Sequence, residues 1–512
     1  MNTTTISAAS IFSPTPRVRA GRRWFNLLMA AFSVSALSLA SSAMAAYDPL
    51  SGKISLGGNH ACAVTTSSGV KCWGDNAYGQ LGDGTTAGRA TPADVSGLTT
   101  GGASVTAGLR HSCALTASGG AKCWGWNVAG QLGDGTTTDR LVPTDVSGLT
   151  GGVASVVAGG VFTCALTTVG GLKCWGIGGN GQLGNGTTAT RLVPTDVTGL
   201  TSGVSAVIAG AGHTCALTTA GGVKCWGLNS QGELGDGTGA NQTVPVDVSG
   251  LASGIKGIGT SEQSNTTCAV TVAGGVKCWG DNRFSKLGDG TTNDSTVPLD
   301  VPGLPSVAAI AVGTLHVCAL TTAGGVKCWG YNANGELGDG TVTTRSSPTD
   351  VIGLTGTVAA IYAGNSTSCA LMTSGDVYCW GFNDRGQLGD GTTANRTTPV
   401  TAAGQTVEVF AGGENNIALF ALEPRSGQPR LVDHYDTRGF EPRTFSIEPS
   451  GRFLIVANQS ERQVVAASGA PRTVPRSVVV FEIGAGGKLE YRWEYAFTGG
   501  ELFWIGSVRL PG

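Results

Sequence analysis

The chain has 512 residues and a formal net charge of −2, and charged residues make up 13% of it, about half the usual share of ~25%. So little charge argues against a disordered chain, and the lack of a basic excess argues against a general nucleic-acid binder. With 83 glycines and 41% hydrophobic residues, the composition demands many turns between short apolar runs, as in an all-β repeat protein.

Residues 1–45 carry Arg17, Arg19, Arg22 and Arg23 and no acidic residue, then an apolar run from Trp24 to Ala40, then the small residues Ser42-Ala43-Met44-Ala45-Ala46. That order reads as an export signal cleaved after Ala45. The apolar run is shorter than the ~20 residues a spanning helix needs, and no later segment could span. Removal of the signal leaves 28 basic against 34 acidic residues, a net charge of −6. The expected location is periplasmic or extracellular, with no membrane span after cleavage.

The next 350 or so residues write one pattern seven times. The cysteines fall in pairs ten apart: Cys62 and Cys72, Cys113 and Cys123, Cys164 and Cys174, Cys215 and Cys225, Cys268 and Cys278, Cys318 and Cys328, Cys369 and Cys379. First members are separated by 51, 51, 51, 53, 50 and 51 residues, and none of the fourteen is left over. Each unit runs through a Val/Ala strand, an Ala-Gly-type corner, Cys-Ala-Leu-Thr or Cys-Ala-Val-Thr, a Gly-rich turn and Cys-Trp-Gly. A loop with Gly-Gln-Leu-Gly-Asp-Gly-Thr-Thr in its fullest form (Gly130 to Thr137) follows, and Pro-x-Asp-Val-x-Gly-Leu (Pro143 to Leu149) closes the unit. These short runs read as three or four antiparallel strands. One such unit cannot bury its two faces, whereas seven closed in a ring can.

The element from Trp73 to Gly84, with its later copies, resembles the repeat of the regulator of chromosome condensation family. The resemblance covers about residues 52–403 and implies a seven-bladed β-propeller. Exported bacterial relatives of that family include β-lactamase inhibitor proteins, while the eukaryotic namesake is a guanyl-nucleotide exchange factor on chromatin. An acidic exported chain suits the first role better.

The spacing of each cysteine pair fits a hairpin. Opposing Cys215 and Cys225 makes Leu217 and Val223 the last facing pair and leaves Thr218 to Gly222 as a five-residue loop, an allowed hairpin connection. Facing strand residues lie ~4.5–5.5 Å apart at Cα, within disulfide reach, so one structural disulfide per blade is expected in an oxidising compartment. Nine intervening residues do not resemble zinc-ligand spacing. Trp73, Trp124, Trp175, Trp226, Trp279, Trp329 and Trp380 each follow the second cysteine, so alternation puts them on the opposite face, where they can fill the gap between blades rather than line a sugar site. His60, His111, His213 and His316, each two residues before a first cysteine, read as hydrogen-bonded structural residues. The Asp-Gly-Thr motifs at Asp83, Asp134, Asp236, Asp289, Asp339 and Asp390 read as turn-formers, since one carboxylate per loop is too few for calcium. No catalytic residue, metal or cofactor is expected.

Binding residues on a propeller should be those that break the repeat. The loops after Trp-Gly vary most, and Tyr78, Trp126, Phe284, Tyr331 and Phe382 are the candidate contacts for a protein partner on one rim.

The pattern breaks at Ala411-Gly412-Gly413. Residues 404–512, with Glu423-Pro424-Arg425, Pro442-Arg443-Thr444-Phe445 and Leu502-Phe503-Trp504, resemble two blades of the lactonase-type propellers related to 6-phosphogluconolactonase. A lactonase needs a complete ring, so no catalytic residue is carried over. The cluster Asp433, His434, Glu441 and Arg443 reads as surface charge, and the Arg/Ala/Ser/Pro-rich segment 461–476 as a loop. The function expected is therefore recognition of a protein partner by a non-enzymatic exported scaffold. The alternatives are a glycan-binding propeller, a lactonase-related enzyme remnant, and a nucleotide-exchange-type regulator by family analogy.

Overall fold

The computed structural model describes residues 52–406 and the backbone of eight strands between 416 and 497. The export signal read at 1–45 and the side chains of the 433–443 cluster lie outside the described residues.

The repeat region forms seven four-stranded antiparallel sheets, each from four consecutive strands in sequential order. Blade 1 comprises β1 (Ile54–Leu56), β2 (His60–Val64), β3 (Val70–Gly74) and β4 (Arg89–Asp94). Blades 2 to 7 repeat it over residues 102–145, 153–196, 204–247, 255–300, 307–350 and 358–406. The final strand, Arg396–Thr406, runs three residues past the boundary expected at 403. Among the described residues no strand is shared between the first and last blades, so contacts alone close the ring. The Trp73 indole N–H donates to the Gln387 carbonyl (2.9 Å), and Gly391 N–H to the Ala90 carbonyl (3.2 Å).

The hairpin register is the one the cysteine spacing implies. Cys215 faces Cys225 and Leu217 faces Val223, with the Thr218 N–H closing the loop onto the Gly222 carbonyl at 2.8 Å. Every blade carries its expected disulfide. Cys62 is bonded to Cys72, Cys113 to Cys123, Cys164 to Cys174 and Cys215 to Cys225. In blades 5 to 7, Cys268 is bonded to Cys278, Cys318 to Cys328 and Cys369 to Cys379. One detail of the expectation is corrected: the Cα–Cα distances are 4.0–4.1 Å in all seven pairs, below the ~4.5–5.5 Å of facing strand residues.

The core is a set of seven layers, each between two blades. In the first, Cys62, Cys72, Leu81 and Val95 of blade 1 pack with Val105, Ala114 and Trp124 of blade 2. The same grouping of one blade's disulfide with the next blade's tryptophan recurs around the ring, ending with Cys369, Cys379 and Trp73. All seven tryptophans are fully buried. Each donates its indole N–H, at 2.8–2.9 Å, to a backbone carbonyl of the preceding blade: Gln387, Gln80, Gln131, Gln182, Glu233, Lys286 and Glu336 in turn. The indole of Trp124 lies on Gly82 (φ 69°), where a Cβ would come within 2.7 Å of Nε1. Strand alternation therefore does what the sequence suggests: disulfide on one face, indole on the other.

The described strands between 416 and 497 belong to a unit separate from the propeller. Asn416–Leu422 pairs with Pro429–Asp436, and Pro442–Ile447, Phe453–Asn458, Arg476–Ile483 and Leu489–Phe497 form one antiparallel sheet in that order. The segment read as a loop at 461–476 instead holds an antiparallel strand pair, Arg462–Val465 with Pro471–Val474, in which Val464 faces Arg472 and Gln463 faces Thr473 along the backbone.

Candidate functional site

Two sets of loops share one rim. The corner joining the first two strands of a blade and the long loop after Trp-Gly lie side by side, as the Trp126 N–H donates to the Arg110 carbonyl at 2.9 Å. In six of the seven blades the long loop is held by one asparagine. Asn76 Nδ2 donates to Asp83 Oδ1 (3.2 Å) and to the Thr85 and Ala87 carbonyls (both 3.1 Å), while its Oδ1 accepts from Leu81 N–H (2.9 Å). Asp83 in turn accepts from the Thr85 N–H and hydroxyl and from Arg89 Nε (2.8 Å). Burial pushes its carboxyl up, but these hydrogen bonds outweigh that and hold it below the ordinary value. The Asp-Gly-Thr motif is thus a turn device, as expected. Blade 3 has lost both partners together, with Gly178 and Asn185 in their places. Among the described residues, no three His, Cys, Asp or Glu side chains are grouped to hold a metal ion.

The structure brings four of the five candidate aromatics into two ring pairs. Tyr78 and Trp126, from blades 1 and 2, have centroids 5.8 Å apart, and the Arg110 guanidinium lies over both, at 4.8 and 5.7 Å, donating to the Tyr78 hydroxyl at 2.9 Å. Phe284 and Tyr331, from blades 5 and 6, meet edge to face at 4.8 Å. Phe382 is half-buried and has no ring partner among the described residues. The candidates thus divide between two sectors of the rim, since blades 1–2 and 5–6 are not neighbours.

Phe284 has a structural cost that sequence reasoning missed. At the position of Gln80 in blade 1, six blades carry Gln or Glu, whose oxygen accepts the backbone N–H two residues earlier, as Gln80 does from Tyr78 (2.9 Å). Blade 5 has Lys286 there, which cannot accept. Its ammonium is buried and bonds Asp281 Oδ2 (2.6 Å) and the Thr314 carbonyl (3.1 Å) instead. Burial lowers the Lys286 pKa against the pull of Asp281. The loop tightens into a 3-10 turn over Arg283–Ser285, with Phe284 at φ 65° and Ser285 at φ 61°. Ser285 occupies the place of Gly79, so both residues adopt a left-handed backbone that costs roughly 1–3 kcal/mol each. Phe284 is 42% exposed as a result. The signal was legible: Ser285-Lys286 stands where the other blades read Gly-Gln or Gly-Glu.

The histidines sit between blades. His60, His111, His213 and His316 are buried, each with Nε2 2.7–3.0 Å from a hydroxyl of the following blade: Ser112, Thr163, Thr267 and Ser368. Burial holds their pKa values near 4, 3, 4 and 4.

A further departure is the blade 5 corner. Six corners have three residues, whereas this one has six, 260–265. Within it Glu262 is 3% exposed, and burial pushes its carboxyl up to about 8, against hydrogen bonds from its own backbone N–H and from Gln263. The 53-residue spacing in the cysteine series carried this insertion.

Models of the regulator of chromosome condensation (RCC1) repeat match residues 70–115, 119–166, 170–217, 273–320 and 323–371, and a second set matches 53–80, 103–131, 204–233, 307–336 and 358–387. A model described as lactonase, 7-bladed beta-propeller, matches residues 382–475, beginning inside blade 7. The chain is 31% identical over 388 residues to the ultraviolet-B receptor UVR8 of Arabidopsis thaliana, covering 73% of this chain and 86% of that one. It is 34% identical over 267 residues to the human E3 ubiquitin-protein ligase HERC2, but that match spans 51% of this chain and only 6% of HERC2. Among solved structures, human WBSCR16 superposes with a TM-score of 0.59 at 24% identity, over 65% of this chain and 94% of that one. Yeast RCC1 (Prp20), solved with Kap60, gives 0.58 at 21%, over 68% and 84%. With in-register repeats, a seven-bladed ring and a relative matched over most of its length in agreement, the chain belongs to the family of RCC1-repeat propeller proteins.

Proposed function

We propose that this chain is an exported, non-enzymatic scaffold that recognises a protein partner through the rim bearing the long loops. The observation that carries this reading is the placement of four repeat-breaking aromatic rings, paired two by two on that rim. Tyr, Trp and Arg are the residues that dominate binding energy at protein interfaces, and Tyr78, Trp126 and Arg110 form one cluster of that composition. The strained, exposed Phe284 supports the same reading, because backbone strain concentrates at functional sites. A propeller of similar fold works in protein assemblies: yeast RCC1 (Prp20) is solved bound to Kap60, and it has binding properties to Gsp1p and histones.

Seven disulfides suit an oxidising, extracellular or periplasmic compartment, and the reading of 1–45 as an export signal agrees. A non-catalytic role is supported by the four histidines of the blades, His60, His111, His213 and His316, the residue type best suited to acid–base chemistry near neutral pH, each of which is occupied in an inter-blade hydrogen bond.

The test is quantitative binding of a partner isolated from the extracellular or periplasmic fraction with the wild-type chain. Trp126→Ala and Phe284→Ala are each expected to weaken it at least tenfold. An unchanged Kd for the double variant would remove the rim from the interface. Saturable binding on a glycan array would favour a lectin-like role instead, and lactone hydrolysis an enzymatic one.

A further inference from the structure

The chain holds three Asn-Gly pairs, at Asn180-Gly181, Asn185-Gly186 and Asn334-Gly335. In such a pair the glycine nitrogen can close a five-membered ring on the asparagine side chain, because glycine has no Cβ to obstruct it. All three glycine N–H groups are engaged, by the Gly178, Thr243 and Asn332 carbonyls at 2.7, 2.9 and 3.0 Å, so that contact does not separate them. Space does. A Cβ on Gly181 would come within 2.7 Å of the Gln242 carbonyl, and one on Gly335 within 2.6 Å of the Arg396 carbonyl. On Gly186 its nearest neighbour would be Val244 Cγ1 at 4.0 Å. Gly186 is exposed, and the other two glycines are buried. The bond to Thr243 that must open first therefore lies at the surface, where local opening costs least.

Asn185 sits in the turn that the other six blades build around aspartate. Its Oδ1 accepts from the Thr187 N–H (3.1 Å) and hydroxyl (2.8 Å), as Asp134 Oδ1 does from Thr136 (2.9 and 2.8 Å). Arg191 faces Gly176 across the blade as Arg140 faces Gly125. In blade 2 the second carboxylate oxygen meets Arg140 Nε at 2.8 Å. In blade 3 an amide nitrogen takes the place of that oxygen, and both Asn185 Nδ2 and Arg191 Nε are buried without a partner among the described residues. Turning the amide over would give Arg191 an acceptor but set Nδ2 against the Thr187 N–H, so neither orientation satisfies both sides. Arg89, Arg345 and Arg396 close the equivalent ion pair with Asp83, Asp339 and Asp390 in blades 1, 6 and 7.

We infer that Asn185 is a self-correcting modification site, at which the chain's own Gly186 nitrogen deamidates the side chain and leaves an aspartate that pairs with Arg191. The Gly186 nitrogen attacks Asn185 Cγ, an N–Cγ bond forms, and the Cγ–Nδ2 bond breaks as ammonia leaves with the former Gly186 proton. Water then adds to Cγ of the succinimide, the ring N–Cγ bond breaks, and the nitrogen regains a proton. The balance is one water consumed and one ammonia released, with no change of oxidation state. The Thr187 N–H and hydroxyl already point at the oxygen on which negative charge gathers during attack, the placement that stabilises an oxyanion. Asn334, by contrast, has its Oδ1 on a single amide N–H, from Asn395 at 3.2 Å, and its Nδ2 held by Glu336 at 2.8 Å. Opening of the ring at the backbone carbonyl gives isoaspartate, which lengthens the main chain and spoils the turn. Isoaspartate closes again to the same ring, so successive rounds collect as the aspartate that the turn and Arg191 stabilise.

The experiment is peptide mapping by mass spectrometry of the full folded chain incubated at pH 8, with fragmentation that separates aspartate from isoaspartate, and a melting curve at each time point. The expected result is a gain of one mass unit at Asn185 at least fivefold faster than at Asn180 or Asn334, with aspartate the larger product. The melting temperature should rise with conversion by about 1–2 °C and level off at the value of Asn185→Asp. Thr187→Val should slow conversion at least threefold, and Thr187→Ser should keep the wild-type rate. Arg191→Gln should convert without the rise in melting temperature. Conversion no faster than at the other two pairs, isoaspartate as the larger product, or a melting temperature that stays constant or falls would each overturn the proposal. These three readings use the wild-type chain alone.

Discussion

His60 Nε2 lies 2.8 Å from the Ser112 hydroxyl, which donates in turn to the Gln80 carbonyl at 2.8 Å, so one imidazole ties blade 1 to blade 2. With the hydroxyl proton committed to Gln80, the imidazole is the donor and its Nδ1 is left without a partner among the described residues. At six of the seven blade boundaries histidine and hydroxyl are present or absent together; at the boundary of blades 3 and 4 the Thr214 hydroxyl stays, donating to the Gln182 carbonyl at 2.8 Å, without a histidine. Blades 6 and 1 carry Val317 and Ala61 at the hydroxyl position, and the blades before them carry Thr266 and Thr367 instead of histidine. Blade 3 offers another solution, with Phe162 buried in the same place.

Blade 3 predicts which substitutions blade 2 tolerates. His111→Phe keeps the ring volume and leaves Thr163 bonded to the Gln131 carbonyl (2.8 Å), so it should cost under about 1.5 kcal/mol. His111→Ala opens a cavity and should cost about 2–4 kcal/mol. Denaturant unfolding of the two variants checks the order, and equal losses would show that the hydrogen bond, not the volume, dominates.

The same histidines set a pH dependence. Their folded pKa values, near 4, 3, 4 and 4, lie below the ordinary 6.5. A depressed value favours the neutral form in the fold, so their contribution is complete above pH 6.5 and is lost as pH falls toward 4. Each histidine contributes about 1.4 kcal/mol per pH unit across that window. Glu233, Glu262 and Glu336 are raised by burial and act in the opposite sense, losing stability as pH rises above 4.5, Glu262 up to about 8. Unfolding free energy should therefore peak between about pH 6 and 7. His111→Phe should flatten the acid limb by one proton; a slope identical to wild type would contradict the assignment.

All fourteen cysteines are paired and at most 1% exposed. Alkylation in denaturant without reductant should add no mass, and alkylation with both should add fourteen labels. Replacing Cys215 and Cys225 together by serine should cost about 2–3 kcal/mol, as a loop of this length implies.

The third blade offers a stabilising change. Arg191 Nε is buried without a partner among the described residues, and Asn185 stands where Asp134 pairs with Arg140 at 2.7 Å in blade 2. Asn185→Asp should restore the ion pair and raise stability by about 0.5–1 kcal/mol, read as an increase in melting temperature that shrinks in high salt.

The register of Cys215 with Cys225 was legible because a ten-residue spacing, a Gly-bearing turn and disulfide reach leave one hairpin that satisfies all three. The burial of Trp226 was legible because alternation is strict in a strand. The Ser112 partner of His60 was not, since it lies 52 residues away on another blade, and nothing local distinguishes a bonded imidazole from a free one. The rim aromatics were read from their departure from the repeat. Their division into Tyr78–Trp126 and Phe284–Tyr331 depends on which loops meet across a blade boundary.

The sequence by itself therefore determined the repeat, the strand pairing inside each blade and the disulfides, because those follow from short-range periodicity and turn chemistry. Only the tertiary structure decided that Lys286 and Asp281 bury a charge pair behind Phe284, and that the longer corner at 260–265 buries Glu262. The energies of these relations come from desolvation, which depends on how completely the closed ring surrounds a side chain.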